Sequence, residues 1–119
     1  MSKTIFLVDD DASVRTVLER LVRRLRPDDA VIAFSSPRDL LLAALDGRWP
    51  HLVLTDRDMP EYAGEELASR LAYAGYRGWV VMITGGELVV PPAHVDEIIR
   101  KPFTREEIEE MLTRRLDPS

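Results

Sequence analysis

The chain has 119 residues, 45% of them hydrophobic and 31% charged, which is the size and balance of one domain, residues 1–119, around a single core. Its formal net charge of −5 argues against nonspecific nucleic-acid binding by the whole surface, and its lack of cysteine excludes a disulfide framework and thiolate metal ligation. No apolar run approaches the roughly 18 residues of a membrane span, and a strand-like run starts at Thr4 with no room for a signal peptide, so a cytoplasmic protein without membrane contact is expected.

The first element, "TIFLV" (4–8), is β-rich and stops on Asp9-Asp10-Asp11. Val14, Val17, Leu18, Leu21, Val22 and Leu25 then recur at helical spacing, which predicts an amphipathic helix over 12–25. Pro27-Asp28-Asp29 ends it, and "AVIAF" (30–34) is the second strand. Ser36 suits a helix N-cap, with Pro37 at the first helical position and Gly47 past the end. Leu40, Leu41, Ala44 and Leu45 give that helix its apolar face. The third strand, 51–55, delivers Asp56 at its end. Gly64 to Ala74 reads as a third helix on Leu67, Ala68 and Leu71, closed by Gly75. "WVVMIT" (79–84) is a fourth strand and "EIIR" (97–100) a fifth. Between them "GGELVVPPAHV" (85–95) has two glycines and two prolines, so mostly irregular structure is expected there. Thr104 and Glu107 form a capping box for a last helix carrying Ile108, Met111, Leu112 and Leu116.

Strands alternating with helices imply a doubly wound α/β fold with a parallel sheet and right-handed crossovers. In such sheets the site lies beyond the carboxyl ends of the strands. The polar residues at those ends are Asp9, Asp10 and Asp11, then Asp56, Thr84 and Lys101. Three crowded carboxylates disfavour one another's ionisation, and a hard divalent cation such as Mg2+ relieves this. One Mg2+ and the Lys101 ammonium would balance the charge of Asp9, Asp10 and Asp56. A carboxylate so placed can accept a phosphoryl group, with the metal and Lys101 against the added oxygens and the Thr84 hydroxyl bonding one of them.

Four segments, "VDDD" (8–11), "TDRDMPEYAG" (55–64), "ITG" (83–85) and "KPF" (101–103), stand in order at strand ends, and with them the chain resembles the receiver domains of two-component response regulators over essentially its whole length. The resemblance implies a flavodoxin-like five-stranded sheet in the order 2-1-3-4-5. It implies Asp56 as phosphoacceptor, Asp10 as a direct metal ligand, Asp9 as a ligand acting largely through water, and the Asp58 backbone carbonyl as a further metal contact. It makes Thr84 the hydroxyl that follows the phosphoryl group, and Lys101 the family lysine, with a cis peptide before Pro102. The implied donor is the phosphohistidine of a histidine kinase or phosphotransfer protein, and the implied output is a change in binding to a downstream protein rather than turnover of another substrate. Direct nucleic-acid binding is not expected. Two departures stand out. Ile98 occupies the position of the family's aromatic switch residue, three before the lysine. The segment from Thr84 to Lys101 is short, so the family's fourth helix should be shortened or irregular.

Several residues have plainer readings. Asp11 is expected to cap the first helix rather than to bind metal. The Asp58 side chain is either solvated loop or, by the resemblance, a tuner of phosphoryl lifetime. Arg15, Arg20, Arg23, Arg24 and Arg26 read as a solvated face, with kinase docking as the second reading. Glu106, Glu107, Glu109 and Glu110, with Arg114 and Arg115, suit the dipole of the last helix. His51 and His94 lack ligand spacing. Trp49 and Trp79 are expected in the core, and Val89 and Val90 as core filler, with a small partner patch as their second reading. Two other functions remain in view. One is a degenerate receiver that only binds protein. The other is a phosphatase resembling the haloacid-dehalogenase type, whose nucleophile motif "DRD" echoes, although no acidic pair follows Lys101.

Overall fold

Five short apolar runs form one parallel sheet because each is followed by a segment that carries the chain back across its face. The computed structural model describes residues 2–88 and 90–118. The strands are β1 (Thr4–Val8), β2 (Ala30–Phe34), β3 (Leu52–Asp56), β4 (Trp79–Thr84) and β5 (Glu97–Arg100). All pair in parallel, in the order β2-β1-β3-β4-β5, so the flavodoxin-like topology is as expected. The helices are α1 (Ala12–Leu25), α2 (Pro37–Leu45), α3 (Gly64–Tyr73) and α4 (Arg105–Leu116).

The sheet divides the core in two. Ile5, Leu7, Leu54, Val81 and Ile83 face α1 and α4, where they meet Leu18, Val22, Ile108, Met111 and Leu112. Phe6, Val8, Val53 and Met82 face the other way, onto Leu40, Ala44, Leu67 and Leu71 of α2 and α3. Successive side chains alternate between these layers, which is why the central strands read as unbroken apolar runs. Burying both faces also fixes the register, since a one-residue slip would exchange the two layers.

The predicted caps form. Asp11 accepts from the N–H groups of Ser13 and Val14, and Ser36 from that of Asp39. Thr104 and Glu107 make the reciprocal capping box. Gly47 and Gly75 adopt positive φ (85° and 102°) just past α2 and α3, where a side chain would be strained. His51 has a structural role: its Nδ1 accepts from the Thr4 N–H at 3.0 Å. Among the described residues no helix is long and apolar enough to cross a membrane.

Among the described residues no helix lies between β4 and β5, in keeping with the two prolines and two glycines. The expected core placement of the tryptophans is corrected: Trp49 and Trp79 are about two-fifths exposed (41% and 42%). Trp49 stacks on Tyr76, and Trp79 lies under the Arg115 guanidinium, 4.5 Å from its ring centre. Trp49 precedes β3 and Trp79 is the first residue of β4, both at the amino-end edge of the sheet, where the layers have stopped covering it. Val90 is 72% exposed and fills no core; Val89 lies outside the described residues.

Candidate functional site

The parallel register brings the carboxyl ends of β1, β3 and β4 side by side, and the site forms there from Asp9 and Asp10 just past β1 and from the last residues of β3 and β4, Asp56 and Thr84. Asp9 and Asp56 are buried, while Asp10 beside them is exposed. One carboxylate oxygen from each of Asp9, Asp10 and Asp56 lies within 4.8 Å of the others. Lys101, just past β5, reaches across to this group. Its Nζ donates to Asp56 Oδ1 at 2.9 Å and to Asp9 Oδ2 at 3.3 Å. The Lys101 N–H donates to the Thr84 carbonyl at 2.8 Å, which ties the lysine's origin to the end of β4. The peptide bond between Lys101 and Pro102 is cis, as expected.

Local sequence explains the approach of the acids. Asp9 Oδ1 accepts from the Asp11 N–H at 2.9 Å, and Arg15 Nη1 donates to the Asp9 carbonyl at 2.9 Å. These bonds curl the β1–α1 turn and leave Asp10 facing solvent beside its neighbours. Asp11 is occupied as the α1 cap and is absent from the carboxylate cluster. Asp58 is exposed in the loop after β3, and its carboxylate is not part of the cluster either. The Thr84 side chain is fully buried, and its Oγ1 accepts from the Gly86 N–H at 3.0 Å.

The charges are strongly coupled. Burial pushes the Asp56 carboxyl above the ordinary aspartate value; the Asp9 charge adds to this, and the Lys101 hydrogen bond only partly offsets it. Burial works against the Lys101 ammonium, but the hydrogen bond and charge of Asp56, with those of Asp9, outweigh it and raise its pKa. Three carboxylates against one ammonium leave an excess of negative charge. The donors are all oxygen, two buried and one open to water, which is the donor set a hard divalent cation prefers.

Sequence reasoning placed Asp9, Asp10, Asp56, Thr84 and Lys101 at strand ends, and the fold brings those ends together. It did not single out Arg57 or Gly64. Arg57 Nε bonds Glu65 at the rim of the site, and Gly64 packs against the backbone of Asp56. Both stand inside the quoted segment "TDRDMPEYAG", but no periodicity marks either. The basic residues of α1 are only partly a solvated face. Arg20, Arg23 and Arg24 are exposed, Arg23 also reaching Glu19 and the Val31 carbonyl, whereas Arg15 bonds the Asp9 carbonyl and Arg26, just past the helix, pairs with Asp29 and Asp117.

Residues 5–113 match the family model of the response regulator receiver domain. A curated relative, an uncharacterized response regulatory protein of Vibrio cholerae, is 28% identical over 98% of this chain, which spans 48% of that protein's length. Among solved structures, a CheY-like receiver domain from Methanospirillum hungatei superposes with a TM-score of 0.82 at 21% identity, covering 98% of this chain and 95% of its own. The receiver domain of a Pseudomonas aeruginosa sensor histidine kinase, solved with magnesium coordinated in its active-site cleft, gives 0.83 at 20% identity, covering 97% and 98%. The matched span takes in β1 through most of α4, and the chain belongs to the response regulator receiver domain family of two-component signalling.

Proposed function

We propose that this chain accepts a phosphoryl group on Asp56 from the phosphohistidine of a histidine kinase or phosphotransfer protein, and that phosphorylation changes its binding to a downstream protein. We take residues 1–119 as one receiver domain acting only on its own phosphoryl group. The observation that carries this reading is the double ion pair of Lys101 with Asp56 and Asp9, set beside Asp10.

In the transfer an Asp56 carboxylate oxygen bonds to phosphorus, the bond from phosphorus to the histidine nitrogen breaks, and the imidazole leaves with that electron pair. Lys101 stands against the oxygen that gains charge and orients the carboxylate through its 2.9 Å hydrogen bond. The raised Asp56 pKa makes its oxygen a somewhat better nucleophile. The Thr84 hydroxyl, bonded in the unmodified chain to the Gly86 N–H, is free to turn and donate to a phosphoryl oxygen. Asp9, Asp10 and Asp56, with the Asp58 carbonyl, would hold Mg2+. That ion would supply positive charge against the carboxylates and the phosphoryl oxygens.

Intact-mass spectrometry tests the proposal. Acetyl phosphate should add one phosphoryl group in the presence of Mg2+, none with EDTA, and none on Asp56→Asn. A wild-type chain left unmodified by acetyl phosphate and by a panel of histidine kinases would overturn it in favour of a receiver that only binds protein.

A further inference from the structure

Arg57, the residue after Asp56, has no part in the chemistry above. Its backbone is firmly placed: the N–H donates to the Ile83 carbonyl at 3.2 Å, and the carbonyl accepts from Gly64 at 2.8 Å. Its side chain is held loosely. Nε donates to Glu65 Oε2 at 3.3 Å, long for a charge-assisted bond, and both side chains are about a third exposed (33% and 32%). Among the described residues neither Nη of Arg57 has a partner. The other Glu65 oxygen, Oε1, is buried and likewise without one. This ion pair is therefore half satisfied on both sides.

The unused edge of the guanidinium lies beside the site. A Cβ on Gly86 would stand 3.7 Å from Arg57 Nη1 and 3.5 Å from Thr84 Oγ1. Arg57 and the Thr84 hydroxyl thus border one small space, left open because residue 86 has no side chain. Resting on the phosphoacceptor role of Asp56, we propose that Arg57 is a positioning residue of the phosphorylated state, which leaves Glu65, bonds the phosphoryl oxygens through its Nη edge and fills the opening at Gly86 against water.

The exchange of partners follows from charge. Unmodified Asp56 presents one negative charge, already bonded by Lys101, so Glu65 keeps Arg57. A phosphoryl group adds charge and free oxygens, which a planar guanidinium can bond in pairs. Hydrolysis needs a water oxygen to bond to phosphorus while the bond from phosphorus to the Asp56 oxygen breaks, regenerating the carboxylate and releasing inorganic phosphate and a proton. Arg57 slows that step by occupying the approach and by stabilising the acyl phosphate before it. Glu65 competes for Arg57 and so shortens the lifetime.

The two partners of this ion pair should then act in opposite directions. The Mg2+-loaded chain is phosphorylated with acetyl phosphate, the donor is removed, and decay of the adduct is followed by intact mass. Arg57→Gln should shorten the half-life by roughly threefold or more, and Glu65→Gln should lengthen it, with Arg57→Lys intermediate because it keeps the charge without the fork. Urea melts of both glutamine variants should shift the same way, since each breaks the same pair. Lifetimes that also move together, or that do not move, would overturn the inference while leaving the phosphoacceptor role intact. Absence of any adduct on the wild type would overturn both.

Discussion

Gly64 lies directly against the backbone of Asp56. A Cβ at position 64 would stand 2.5 Å from the Asp56 carbonyl oxygen, and 3.2 Å from both Arg57 Cα and Met82 Sδ. The first residue of α3 thereby sets how closely that helix approaches the strand end carrying the site. Gly64→Ala should force the β3–α3 loop outward. A cost of about 1–3 kcal/mol is expected in urea melts, as for overpacking elsewhere. Acetyl phosphate should also modify Asp56 more slowly in this variant. Unchanged stability and rate would mean that the helix end yields without moving Asp56.

Asp10 and Asp11 are neighbours with different work. Asp10 belongs to the carboxylate cluster, whereas Asp11 bonds the Ser13 and Val14 amides at 2.8 and 3.2 Å. Asp10→Ala should weaken Mg2+ binding in a calorimetric titration and leave stability without metal nearly unchanged. Asp11→Ala should keep the metal affinity within a few-fold and lower stability by about 0.5–2 kcal/mol, as for a lost cap. Equal losses of metal affinity in the two variants would remove this division.

The crowding of charge predicts that Asp56→Asn stabilises the metal-free chain. A carboxyl group whose folded pKa is raised binds its proton more tightly when folded, so its ionised form costs stability above that pKa. Lys101 keeps Asp9 as a partner in the variant. At pH 7 without Mg2+ the gain should appear as a urea midpoint higher than that of the wild type. It should shrink as pH falls through the raised Asp56 value, and reverse when Mg2+ binds the wild type. Urea midpoints from pH 4 to pH 8, with and without Mg2+, measure it. A variant less stable than the wild type at pH 7 in EDTA would show that the Lys101 pairing outweighs the repulsion.

Activation should be visible in the segment 85–95. The Thr84 hydroxyl bonds the Gly86 N–H, so turning Thr84 toward a phosphoryl group releases that amide. Ile98 has no ring to move in response. Amide exchange with and without the phosphoryl mimic beryllofluoride should therefore change at Gly86 and along the following loop, with little change in β5. Before the mimic is added, exchange at residues 87, 88, 93 and 94 should be faster than in the flanking strands. Strong protection there in the unmodified chain, or exchange that beryllofluoride leaves unaltered, would move the switch to the loop after β3.

Much of this protein was legible from local chemistry. The strand-end acids, the caps at Asp11, Ser36 and Thr104, and the irregular stretch around Pro91-Pro92 each depend on neighbours a few residues away, and all stand where the sequence places them. Alternation of elements fixed the layers, because a strand covered on both faces must be apolar throughout. Tertiary structure decided the rest. Lys101 bonds residues 45 and 92 positions away, and only the register of β1, β3 and β4 with β5 brings them within 3.3 Å. The exposure of Trp49 and Trp79 depends on where the helical layers end, which no periodicity within their own segments records. The loose grip of Arg57 on Glu65 and the contact of Gly64 with Asp56 arise from how closely α3 approaches β3. Such approaches are set by the summed packing of the whole interior, and a segment of sequence carries only its own share of that sum.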